Sequence, residues 1–231
     1  LPQTDFELEK ILRVDVTQNI EIAAGKRIWR AGFLKSGISV NNRVVERHKS
    51  PYGAYWKSYD FSSNKLQQDI FKYPLGPRSL LDEDGEQIFE DDARGEPIAF
   101  EHAGGELIFN LPNGLQGYFL TDEDGNRIFR APTEIVLDPE NRREKGVISN
   151  GISCIRCHSK GMIRLNQKAG EVRLAIQREI KIKGKIFKDV PDEEIYNIAD
   201  QLGQHKLRLY AKAAVINKLI EEDITRFEAA M

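Results

Sequence analysis

The residues best equipped for chemistry in this chain are Cys154, Cys157 and His158, in the run SNGISCIRCHSKGM. The two cysteines are the only ones present, three positions apart, with a histidine directly after the second. Thiols at this spacing can close a disulfide, cycle as a dithiol pair, ligate zinc or add to an unsaturated carbon. A single local disulfide would constrain almost none of a 231-residue chain, which argues against a disulfide framework. A thioredoxin-type pair sits where a strand meets a helix N-terminus in a βαβ unit. Zinc normally needs a second compact cluster of ligands, and His48, His102 and His205 are scattered singly. Neither arrangement suits this motif.

Cys-x-x-Cys-His is the recognised signature of covalent haem attachment. Two thiols one helical turn apart can add to the vinyl groups on one edge of the macrocycle. The next residue, His158, then projects its imidazole beneath the iron as proximal ligand, its tautomer set by whatever accepts the other ring N–H. On CIRCH, residues 154–158, the chain resembles c-type cytochromes. That resemblance implies one covalent haem c with its iron, electron transfer as the activity and an unidentified redox partner protein. It also implies a periplasmic or otherwise extracytoplasmic bacterial location, any leader lying outside this chain. Class I cytochromes attach haem near the start of a small helical domain, whereas residues 1–153 precede the motif here. The segments NRVVERH, YGAYWKSYDF, FEHAGGELIFNLPNGLQGYFL and LYAKAAVINKLIEEDITRFEAA resemble uncharacterised bacterial proteins carrying a c-type cytochrome domain, a likeness that implies no defined activity.

The sixth iron position separates the functional readings. A filled position favours electron transfer; an open one would admit peroxide, oxygen or another small ligand, as in a peroxidase- or oxidase-like enzyme or a haem-based sensor. His102 is the first distal candidate, because Gly104-Gly105 beside it permit close backbone approach to a flat cofactor. His205 follows in the helical run QLGQHKLRL, and His48 in a charged setting between Arg47 and Lys49. Each also reads plainly as a strand-edge, solvated-helix or surface-turn residue. Met162 lies four positions after His158, on the same side of a continuing helix and so on the wrong side of the macrocycle. Met231 ends the chain. Arg43, Arg47, Arg142, Arg143 and Arg164 are candidates to pair with propionates. Trp29, Tyr52, Tyr55, Trp56 and Tyr59 suit core packing better than a haem edge.

The elements that must position these groups are of two kinds, giving an α+β class. With 34 basic and 36 acidic side chains the near-neutral balance argues against a general nucleic-acid or membrane-surface binder. No window reaches the roughly 18 apolar residues needed to span a bilayer. Residues 1–20 read as a helix burying Phe6, Ile11 and Leu12, and 27–60 as strands or packed irregular segments. LLDEDGEQIFEDD, LTDEDGNRIFRAP and GELIFNLPNGLQGYFL read as hairpins turning at Asp-Gly or Pro-Asn-Gly. The DEDG runs lack the glycine and later glutamate of a calcium loop. Arg142-Arg143-Glu144-Lys145 marks a boundary between a β-hairpin-rich portion, 1–145, and a helical haem c-binding portion, 146–231. In the latter, Asn150 or Ser153 is expected to cap the motif helix. A helix is expected over Gly170 to Ile182, and another from Pro191 with Ile195, Ile198, Ala199 and Leu202 on one face. The last, from Leu207 to Ala230, should bury Ala213, Ile216, Leu219, Ile220, Ile224 and Phe227, the helices together walling the haem.

Overall fold

Among the described residues, six short segments pair strictly with their neighbours in sequence to give one antiparallel sheet of order β1 to β6. The computed structural model describes residues 1–22, 27–77, 95, 97–165, 170–186 and 193–231. The strands are β1 (Ile28–Phe33), β2 (Arg43–Ser50), β3 (Gly53–Asp60), β4 (Gly104–Asn110), β5 (Gln116–Asp122) and β6 (Arg127–Ile128). Around them lie α1 (Asp5–Leu12), α2 (Val16–Ile22), α3 (Ile152–Cys157), α4 (Glu171–Ile186), α5 (Glu193–Leu209) and α6 (Ala213–Ala230). The class is α+β, and no described helix is long and apolar enough to cross a membrane.

The register assigns every strand residue to one of two faces, because successive side chains point to opposite sides. One row runs Arg30, Glu46, Lys57, Leu107, Phe119; the alternate row runs Trp29, Arg47, Trp56, Ile108, Tyr118. The first face carries the larger core: Leu8, Leu12 and Ile20 from α1 and α2 meet Val44, Tyr55 and Tyr59 of the sheet and Val172, Ile176 and Leu209 of α4 and α5. Residues from both sides of position 145 therefore share one core. On the second face Ile216 and Ile220 of α6 pack on Ala31, Phe33, Trp56 and Ile108. Both isoleucines are fully enclosed, each contributing about 1.5–3 kcal/mol.

The hairpin expected at Pro112-Asn113-Gly114 joins β4 to β5: Gly114 takes φ +87°, and the Leu111 carbonyl accepts its N–H at 2.9 Å. The one expected at DEDG 122–125 joins β5 to β6, with Asp122 Oδ1 accepting the Asp124 and Asn126 N–H groups at 3.0 and 2.8 Å. The hairpin expected over 80–92 and the helix start at Pro191-Asp192 lie outside the described residues, as do the side chains of Ile195, Ile198 and Ala199 within α5.

Two helices differ from expectation. The single helix over 1–20 is two: Arg13 adopts φ +54° and ends α1, its N–H donating to the Glu9 and Lys10 carbonyls. Leu8 and Leu12 form the buried stripe, while Phe6 and Ile11 face solvent. The chain also leaves helical geometry after Leu209, where Ala211 N–H donates to the Arg30 carbonyl at 3.1 Å and Tyr210 bridges to Arg30. That edge pairing with β1 separates α5 from α6. Within α6, Ile216, Ile220 and Phe227 are buried as expected, whereas Ala213, Leu219 and Ile224 are half-buried.

Candidate functional site

Helix α3 holds the motif. Gly151, with φ +77°, is its N-cap; Asn150 does not cap it, and Ser153 lies one residue inside, its Oγ accepting the Ser149 N–H at 2.9 Å. The helix stops at Cys157 rather than continuing toward Met162. Gly161 takes φ +88°, a conformation that leaves glycine as the unstrained choice, and its N–H donates to the His158 carbonyl at 2.9 Å. In return, the Gly161 carbonyl lies 3.2 Å from His158 Nδ1. A carbonyl can only accept, so Nδ1 carries the hydrogen and the Nε2 lone pair is left for a ligand.

Cys154, Cys157, His158 and Met162 line one wall of a cavity of about 340 Å³. The opposite wall is the second face of the sheet, through Phe33, Val45, Trp56 and Ile108. This volume lies within the roughly 300–1,000 Å³ range of cofactor and small-molecule sites, and a mainly apolar wall with few polar groups is their usual make-up. Lys35 and Arg164 stand at the rim, Arg164 Nη2 donating to Glu221 at 2.8 Å. Two thiols, one free imidazole nitrogen and a flat apolar wall suit a macrocycle joined at one edge and ligated from one side.

The electrostatics oppose a dithiol redox pair. Cys154 is buried, and burial together with the Glu106 carboxylate, to which it donates, pushes its thiol well above the ordinary range. A dithiol redox centre needs the opposite shift. Burial, then Cys154 and Glu106, raises the Tyr118 phenol to about 12, and its ring stands 6.2 Å from that of His158. Among the described residues no three His, Cys, Asp or Glu side chains gather as a metal cluster would.

Three of the four distal candidates lie across the sheet from the cavity. His48 is enclosed against the first face, with Nε2 2.9 Å from Glu46 Oε1 and Nδ1 3.1 Å from the Asn19 amide, so both ring nitrogens are engaged. The same Glu46 receives the Tyr59 hydroxyl at 2.7 Å and pairs with buried Arg30 at 2.7 Å. His102 packs edge-on against Tyr59 at 5.0 Å, and His205 sits near the backbone of Ile20. None of the three lines the cavity; Met162 does. Of the arginines, Arg43 and Arg164 border it, Arg47 is bound to Asp223, and Arg142 and Arg143 face solvent.

Burial, followed by neighbouring cations, lowers His102 and His205 to about 4 from 6.5. Between those values the unfolded chain binds protons at these sites that the folded chain refuses, so stability falls as pH drops from about 6.5 to 4. Urea midpoints measured across this window should decline, and a His102→Gln variant should flatten the slope.

Comparison with family models, curated proteins and solved structures finds no match for this chain. Its site is thus defined by its own residues alone. Sequence reasoning found the cysteines and His158 but missed Glu106 and Tyr118. The alternation along GELIFN places Glu106 beside Ile108, and this was the available signal; which face would meet α3 was not encoded locally.

Proposed function

We propose that the protein is a monohaem c-type cytochrome, with Cys154 and Cys157 as thioether anchors and His158 as proximal iron ligand. The observation that carries this reading is the CIRCH motif facing a 340 Å³ cavity with the His158 Nδ1 hydrogen already committed to Gly161. Haem, when bound, supplies a one-electron iron couple. The residues of this chain would do the rest. Gly161 fixes the imidazole tautomer and keeps Nε2 basic, and Trp56, Ile108 and Val45 exclude water from the flat face. Cys157, exposed at the rim, marks the edge through which a redox partner protein would exchange electrons. In this reading α3 and the turn to Leu165 form the haem c-binding portion, and the sheet supplies its second wall. Maturation of haem c implies an extracytoplasmic location.

A second reading is favoured by the placement of the histidines. With His48, His102 and His205 across the sheet, Met162 is the one original candidate at the cavity, and an iron it leaves unligated would bind small molecules as an enzyme or sensor does. One experiment addresses both. The whole chain, produced with a c-type maturation system, is examined by mass and by absorption, oxidised and reduced, with and without carbon monoxide. A red protein heavier by one porphyrin and indifferent to carbon monoxide is the expected carrier. A carbon monoxide shift selects the open-iron reading, and a colourless protein of unmodified mass rejects both.

A further inference from the structure

Glu106 stands on β4 in the row of Ile108 and faces the cavity beside Cys154. Its carboxylate accepts the Cys154 thiol hydrogen and lies 3.6 Å from the Arg43 guanidinium. Arg43 is already committed elsewhere, with Nε 2.9 Å from Asp60 and Nη2 donating to Ser58 Oγ at 3.0 Å. Ser58 in turn donates to Asp60 at 3.0 Å and accepts the Glu106 N–H at 2.9 Å. The side chains of Arg43, Asp60 and Glu106 are 12, 5 and 15% exposed. One cation and two carboxylates thus leave one excess negative charge enclosed at the cavity wall.

Thioether formation consumes the hydrogen that Glu106 accepts. The Cys154 Sγ–H bond breaks, a carbon–sulfur bond forms to one vinyl carbon, and the hydrogen ends on the other, with no net gain or loss of electrons. Among the described residues, Glu106 then keeps only the Arg43 cation that it shares with Asp60, and faces the macrocycle. Resting on the haem reading above, we infer that Glu106 sets the reduction potential of the attached haem, favouring ferric over ferrous iron. The iron–porphyrin core carries one positive charge when ferric and none when ferrous. An enclosed anion stabilises that charge through a medium less polarisable than water, which lowers the potential.

The test is a spectroelectrochemical titration of the haem-bearing whole chain and three variants. Glu106→Gln, which removes the charge and keeps the shape, is expected to favour reduction at least tenfold, about 59 mV for a one-electron couple. Glu106→Asp, which keeps the charge, should stay within threefold of wild type, and Asp60→Asn should move in the direction of Glu106→Gln. A red Glu106→Gln protein with the wild-type potential overturns the inference and leaves haem attachment standing; a colourless wild type overturns both. If Glu106→Gln acquires no haem, Asp60→Asn decides. If neither does while wild type does, the cluster is architectural and the inference falls.

Discussion

On the proposed haem reading, replacing Cys154 and Cys157 together by serine is expected to abolish covalent porphyrin entirely, leaving a colourless protein with an unchanged circular dichroism spectrum. Cys154 and Cys157 are the chain's only thiols, so no other residue can form a thioether. The fold should survive because Cys157 is exposed and Cys154, although buried, donates to a carboxylate that a serine hydroxyl can also serve. The two single variants sharpen the result. Each should retain porphyrin through one remaining thioether, with a shifted reduced band and a mass unchanged apart from the cysteine-to-serine difference. A double variant that still carried a covalent porphyrin would remove the cysteines from the site.

The largest expected effect on stability comes from Asp223→Ala. Asp223 is almost fully buried on α6 and receives both Arg47 Nε and Nη2 at 2.8 Å and the Trp56 indole N–H at 2.9 Å. Its removal strands a buried guanidinium and a buried indole donor at once. Deleting one partner of such a pair costs about 3–5 kcal/mol. α6 should detach from the second face before the rest of the molecule unfolds. Equilibrium urea unfolding followed by tryptophan emission would register this, since Trp29 and Trp56 both pack beneath that helix. A midpoint within experimental error of wild type would show that α6 is held by its apolar contacts alone.

The parts of this architecture legible in the sequence are those that depend on nearest neighbours. Asn113-Gly114 and the Asp-Gly of 122–125 encode their turns because a positive φ is a property of the residue itself. Ile216, Ile220 and Phe227 were legible because the helical period exposes a stripe wherever the helix runs unbroken. Three features were not. Arg13 gave no signal that it would adopt a left-handed conformation, so α1 and α2 merged into one expected helix and the wrong stripe was assigned. α3 ends at Cys157, and the chain turns at Gly161 beside Phe227, distant in sequence, so the continuous helix assumed in placing Met162 does not form. The histidines were weighed by sequence position, whereas the alternate rows of the sheet determine that His48 belongs to the face opposite the motif.

The unbroken order of the sheet bears on when the cavity comes into being. Each strand pairs with its neighbour along the chain, so the sheet can assemble by closing successive short loops. Asp223, by contrast, meets Arg47 across 176 positions. Docking of the C-terminal helix is therefore expected to come late, and until it does the turn from Gly161 to Leu165, which Asn217 of that helix holds at Leu165, lacks its support beside the thiol-bearing helix.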